Sequence, residues 1–60
     1  MYKVKLTNLG VEWWLRGTTW TANEARADGW MSIDDANAAL LKAKKFMKPK
    51  IAKLAQVIPQ

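Results

Sequence analysis

The chain has five acidic side chains and no histidine or cysteine, so it lacks the commonest acid–base groups and metal ligands, and the carboxylates are the candidates to consider. Catalysis needs a base, a nucleophile or a metal ion held in mutual reach. Asp34 and Asp35 are adjacent, but on a helix they point about 100° apart and do not form a paired-carboxylate site. Glu12 falls in a predicted strand, and Glu24 and Asp28 fall at predicted helix ends. We therefore predict that the protein is not an enzyme and uses no metal or other cofactor.

Basic charge is concentrated in the last third of the chain. Residues 1–41 hold four basic and five acidic side chains, a balance of −1, whereas residues 42–60 hold six lysines and no acid, a balance of +6. This asymmetry favours a polyanionic partner or an acidic protein surface. The alternative is a solvated face with cations near a helix C-terminus. These lysines are the first candidate binding residues: Lys42, Lys44, Lys45, Lys48, Lys50 and Lys53.

Tryptophan content gives a second signal for binding. The chain has four tryptophans in 60 residues, and Trp is enriched at the energetic centres of protein interfaces. The alternative is that a small domain fills its core with large aromatic side chains. For Trp13, Trp20 and Trp30 we favour the core.

Trp14 has the opposite strand parity to Trp13 and is expected on the other face of the sheet. It shares that face with Arg16 and, across a hairpin, with Lys3 or Lys5. Trp14 is either a contact residue or a side chain covered by the C-terminal segment. These four basic and aromatic residues complete the candidate binding set.

The first third of the chain predicts an antiparallel β-meander. Residues 2–7 alternate apolar and polar side chains, which is typical of a strand with one face on the core. Residues 8–10 predict a three-residue loop, a type I turn with a bulge, in which Gly10 takes a positive φ. Residues 11–16 form the returning strand, and residues 18–20 a short third strand.

A short helix is predicted next. Thr21 and Glu24 fit a capping box, so this helix would run to about Asp28. Gly29 would end it in the left-handed conformation. Trp30 then begins an apolar link of two residues.

The main helix is predicted from Ser32, which caps it, to about Lys48, because Pro49 cannot continue it. Its apolar stripe has three- and four-residue spacing. The stripe with its flanking residues comprises Ile33, Ala36, Ala39, Leu40, Ala43, Phe46 and Met47.

The tail, residues 50–58, fits either a helix or a strand. We favour a strand at the sheet edge, since a three-stranded meander with one helix leaves apolar surface uncovered. The predicted fold is a single α+β domain over residues 1–60. It comprises an N-terminal antiparallel β-meander packed against one main amphipathic helix, with a short helix before that helix and a C-terminal edge strand.

Cellular setting follows from two absences in the sequence. No run reaches the roughly 20 apolar residues of a membrane span, and the N-terminus alternates instead of forming a signal-peptide core. With no cysteine to form disulfides, we expect a cytoplasmic protein without a membrane partner.

Several short segments carry a resemblance in layout: Trp13-Trp14, Trp20-Thr21, Ala25, Trp30-Met31-Ser32 and the helix opening at residues 32–36. In a chain of this size they resemble the short orphan accessory proteins of bacteriophages and prophages. The resemblance implies a protein that inhibits or modifies host machinery by occupying a surface. Its partner would be a host protein or ribonucleoprotein complex, in the host cytoplasm, and no functional residue carries over.

Three functions remain open from the sequence. The leading hypothesis is a non-enzymatic phage-type accessory protein that docks on a host macromolecular complex. The first alternative is a non-specific nucleic-acid binder, in which the lysine-rich third contacts phosphates and Trp14 stacks on a base. The second is a small self-associating structural subunit, for instance a homodimer. Salt-dependent gel shifts and concentration-dependent sedimentation would distinguish the two alternatives.

Overall fold

A computed structural model describes all 60 residues, and it shows a four-stranded antiparallel sheet with strand order β3-β2-β1-β4. The elements are β1 (Tyr2–Asn8), β2 (Val11–Arg16), β3 (Thr19–Thr21), a 3₁₀ helix (Glu24–Arg26), α1 (Ile33–Lys44), α2 (Pro49–Ala52) and β4 (Ala55–Pro59). The predicted α+β fold, with its meander, main helix and C-terminal edge strand, is confirmed. None of the helices has the length and apolar character needed to cross a membrane.

The core lies between α1 and one face of the sheet. It consists of Val4 and Leu15 from the strands with Ala36, Leu40 and Ala43 from α1. The spacing of the three helical residues puts them on one face of α1. Two of these three are alanines, whose small side chains let the helix backbone approach the sheet closely.

Both hairpins close with two-residue turns. Asn8 pairs with Val11, so Leu9 and Gly10 form the first turn, with φ values of 52° and 78°. Positive φ at both positions is typical of a type I′ turn, and the predicted three-residue loop is therefore wrong. In the second turn Gly17 takes φ 62° before Thr18, the arrangement of a type II′ turn. Thr18 is thus in the turn, and the third strand starts one residue later than predicted.

The predicted short helix is only one 3₁₀ turn. Asn23 caps it by accepting from the backbone N–H of Ala25, at 3.0 Å. The Thr21 hydroxyl instead accepts from the backbone N–H of Asn23, because Thr21 still belongs to β3. Gly29 lies beyond this turn without a positive φ, so the predicted left-handed cap is wrong. A Cβ atom there would require the flexible Met1 side chain to move.

Residues 28–30 lie between the start of β1 and the end of β2, where those two strands no longer pair. Tyr2 and Trp30 exchange two backbone hydrogen bonds, of 2.7 and 2.8 Å. The Asp28 backbone N–H donates to the carbonyl of Leu15, and its carboxylate accepts from the N–H of Gly17 at 2.7 Å. Asp28 thus fixes this segment to β2. The prediction that a helix ends at Asp28 is wrong.

The main helix is shorter than predicted. Ser32 caps it by accepting from the Asp35 N–H, as expected, but the helix ends at Lys44. After a turn, Lys48 is extended, as the residue before a proline usually is, and Pro49 begins α2. The tail prediction is therefore wrong over residues 50–52, which are helical, and correct for β4, which pairs with β1 at the sheet edge.

Candidate binding site

The sheet face opposite α1 carries the predicted cluster of aromatic and basic side chains. Strand register puts Lys5 directly across from Trp14, which confirms the predicted parity. Trp14 is nevertheless only 7% exposed. The Lys5 ammonium lies 5.7 Å from the centre of the Trp14 ring and 2.8 Å from a Glu12 carboxylate oxygen. Both charges of this pair, and one face of the ring, therefore already have partners.

The other two basic residues of this face differ from each other. Lys3 donates from its ammonium to the backbone carbonyl of Glu24, at 3.0 Å. Arg16 is exposed and makes no ion pair. The shallow concavity beside Trp14 is also lined by Ala22 and Glu24, so the segment after β3 borders this ring. Most of the basic and aromatic side chains on this face thus already have partners within the molecule.

On the helix-covered side, an open apolar groove of about 400 Å³ lies next to the core. Six of its eight lining residues are hydrophobic. The lining comprises Leu6, Asn8, Trp13, Trp20, Phe46, Met47, Lys48 and Ile51. The sequence did not identify this groove.

The end of α1 contributes to one side of the groove. The chain turns after Lys44, and Phe46 and Met47 line the groove from the connection to α2. Phe46 is 75% exposed although it was expected beside the core stripe. The available sequence signal was Pro49, which favours the first turn of a new helix as well as the end of an old one.

Two of the tryptophans predicted for the core contribute to this groove. Trp20 is half-buried, packs against the core cluster and lines the groove. Its indole N–H is buried without a hydrogen-bond partner, so packing alone holds the ring. Trp13 is also half-buried and lines the groove without packing on the core cluster. Trp30 packs on the core away from the groove.

All six lysines of the C-terminal third are exposed, and none forms an ion pair. Lys48 lines the groove, and Lys45 and Lys50 adjoin its lining residues Phe46 and Ile51 in sequence. Lys42, Lys44 and Lys53 lie farther along the same segment. We call the groove together with Lys45, Lys48 and Lys50 the basic groove.

Three of the five acidic side chains are separated from the basic groove by the length of α1 or by the sheet. Asp34 and Asp35 are in the first turn of α1, and the length of this 12-residue helix, about 18 Å, separates that turn from its lysine-bearing end. Glu12 is on the opposite face of the sheet, paired with Lys5. No acidic residue lines the groove itself. No group of three or more potential metal-ligating side chains is present.

Local helix electrostatics accounts for some of the lysines and not for others. Lys42 and Lys44 are in the last turn of α1, where the helix dipole favours cations. Lys50 is in the last turn of α2 and is favoured in the same way. Lys48 is the N-cap of α2, makes no side-chain capping bond and precedes a first turn that holds no acid. Free N–H groups give even a single turn a positive N-terminal end, so cations are disfavoured there.

Comparison of the chain with protein-family models, with curated proteins and with solved structures found no match.

Proposed function

We propose that this chain is a small non-enzymatic binding protein that docks through its basic groove on an acidic surface of another protein. One observation carries the proposal: Lys48, which has no ion-pair partner, lines an apolar groove without acidic lining residues, and the unpaired Lys45 and Lys50 adjoin that lining in sequence. Apolar recesses with a few charged groups at their edge are the usual form of a binding site. The resemblance to phage accessory proteins makes a host macromolecular complex the proposed partner.

The placement of Lys48 supports a binding role over a purely solubilising one. An N-cap normally carries Ser, Thr, Asp or Asn, and the first turn of a helix normally carries acids. Local structure is therefore better served by another residue at the position of Lys48. Departures of this kind from local rules are expected at functional sites.

A protein partner is favoured over nucleic acid. The nucleic-acid alternative relied on Trp14 to stack on a base, but that ring is only 7% exposed. The exposed basic residues of the C-terminal third are all lysines, whereas recognition of base edges favours arginine. A salt-dependent gel shift with single-stranded DNA that is stronger than any protein interaction would reverse this preference.

The proposal can be tested by affinity capture from bacterial lysate with matched baits. One bait carries Lys48→Glu and Lys50→Glu, and the control bait carries the same charge change at Arg16 and Arg26. Circular dichroism checks that both fold. We expect a stoichiometric protein that wild type and the control retain and the lysine variant loses. Equal capture by all three baits, or no stoichiometric partner at all, would refute docking through the basic groove.

Self-association is a second candidate, supported by the edge of the sheet. β4 is an edge strand without a charged side chain. The backbone N–H of Gln60 donates to the carbonyl of Met1, and backbone hydrogen bonds alternate in direction along an antiparallel strand. The N–H and C=O groups of Ala55 and Val57 therefore point away from β1, towards the open edge of the sheet. Such edges pair readily with a second copy. Sedimentation that shows only monomer over a wide concentration range would exclude this candidate.

A further inference from the structure

We infer that the basic groove takes one large apolar side chain from an acidic peptide segment of the partner. This inference rests on the proposed function and adds the chemistry of the segment that is bound. The groove supplies the recess for an anchoring side chain, and the lysines select the charges on either side of that anchor.

The recess has the composition of an anchor site. Trp13 and Trp20 from the sheet, with Phe46 from the α1–α2 connection, contribute three aromatic side chains to its lining. Its volume of about 400 Å³ is near the lower end for ligand pockets, so it suits one large side chain better than an extended ligand. Anchors of this kind, desolvated in a central pocket, dominate the affinity of protein interfaces.

Exposure of Phe46 points to an occupant that covers it. This ring is 75% exposed at the edge of an apolar recess, whereas large apolar side chains gain free energy when they are removed from water. A bound anchor side chain would bury part of the ring together with the recess. The lining is mostly apolar, with Asn8 and Lys48 its only polar residues, so the recess replaces little of the hydration of a charged occupant and suits an apolar one better.

Charge complementarity indicates which residues flank the anchor side chain in the bound peptide segment. Lys48 is at the recess, and Lys45 and Lys50 lie on either side of it in sequence; all are exposed without ion-pair partners. Carboxylates flanking the anchor would pair with them. A neutral apolar segment would leave these cations without counter-charges, and a basic segment would be repelled.

Short synthetic peptides test the inference on the intact wild-type chain. The probe alternates Glu with Gly and Ser around one central Phe and contains no Trp, so the protein's own Trp fluorescence reports binding. Two matched peptides replace either the Phe by Ala or every Glu by Gln. We expect the Phe peptide to bind at least about tenfold more tightly than the Ala peptide, as burial of one aromatic side chain implies. It should also bind more tightly than the Gln peptide and weaken with added salt.

A pair of protein variants locates the effect. Phe46→Ala should remove most of the difference between the Phe and Ala peptides, because it removes part of the groove lining. Leu41→Ala changes another exposed apolar side chain of the same segment, outside the groove, and should leave the difference intact. The peptide comparison on wild type needs no variant, so the test stands even if Phe46→Ala does not fold.

The possible failures are distinguishable. If the Phe and Ala peptides bind equally, and both more tightly than the Gln peptide, the anchor inference is overturned while docking of an acidic surface stands. If neither acidic peptide binds better than the Gln peptide, both proposals fail. If a single-stranded oligothymidine quenches the Trp fluorescence at lower concentration than the Phe peptide, the ligand is nucleic acid and the inference is overturned.

Discussion

Trp13 and Trp14 are neighbours in one strand, and they belong to two very different surfaces. Trp14 faces away from α1, is almost fully buried and lies beside Lys5, which is itself paired with Glu12. Trp13 is half-buried and lines an open groove that also includes Lys48, a cation without a partner. Both surfaces combine an aromatic ring with a lysine. Only in the groove are the ring and the lysine both free to contact a partner. The candidate site is therefore identified by which side chains lack partners within the molecule, and not by residue composition.

The largest expected effect concerns these two tryptophans. Trp14→Ala should destabilise the fold by about 3–5 kcal/mol, the usual cost of truncating a buried aromatic side chain. Trp13→Ala should cost clearly less, because its ring is only half-buried, and should weaken binding of the acidic Phe peptide. Urea denaturation followed by circular dichroism measures both stabilities. Equal destabilisation by the two substitutions would contradict the assignment of separate roles.

A similar contrast exists between adjacent leucines of α1. Leu40 is 7% exposed in the core cluster, whereas Leu41 is 67% exposed. Leu40→Ala should cost about 2–5 kcal/mol, enough to unfold much of a domain this small, and Leu41→Ala at most about 0.5 kcal/mol. Thermal unfolding of the two variants gives the comparison directly. A cooperative transition for Leu40→Ala at the wild-type temperature would show that α1 does not pack on the sheet as described.

The first turn offers a stabilising substitution. Leu9 holds a positive φ of 52° and is 95% exposed, so it has strain and no compensating burial. Asn tolerates this conformation and is preferred before Gly in type I′ turns. Leu9→Asn should therefore raise stability by about 1 kcal/mol. An unchanged or lower midpoint in urea would indicate that Leu9 does not hold this conformation in solution.

Lys48 offers the smallest change in stability. Lys48→Ser supplies the missing N-cap of α2 and should stabilise the fold by about 0.5–1 kcal/mol. The same substitution removes a cation from the basic groove and should weaken binding of the acidic Phe peptide severalfold. Lys42→Ser, at the favourable end of α1, is the matched control and should lower stability slightly. A Lys48→Ser variant that binds at wild-type affinity would remove this lysine from the site.

Much of the fold was predictable because strand parity and the Ser32 cap depend on local pattern, and the edge position of β4 followed from the apolar surface that three strands and one helix leave uncovered. The α1–α2 boundary was not predictable, because the lysine-rich residues before Pro49 suit a helix as well as a turn. The position of residues 28–30 between β1 and β2 was missed, since the hydrogen bonds of Asp28 to Leu15 and Gly17 join distant parts of the chain. The basic groove includes residues of the segment whose structure was predicted wrongly, from the end of α1 through α2. Only its lysines were therefore identified from the sequence.

The most direct test of the two-surface account is a map of amide and indole chemical shifts during titration with the acidic Phe peptide. A chain of 60 residues is well suited to such nuclear magnetic resonance spectra. We predict that the largest shifts occur at the indole N–H of Trp13 and at the backbone amides of Phe46, Lys48 and Ile51. Shifts concentrated instead at Lys5, Trp14 and Arg16 would contradict the account, because they would place the ligand on the sheet face opposite α1.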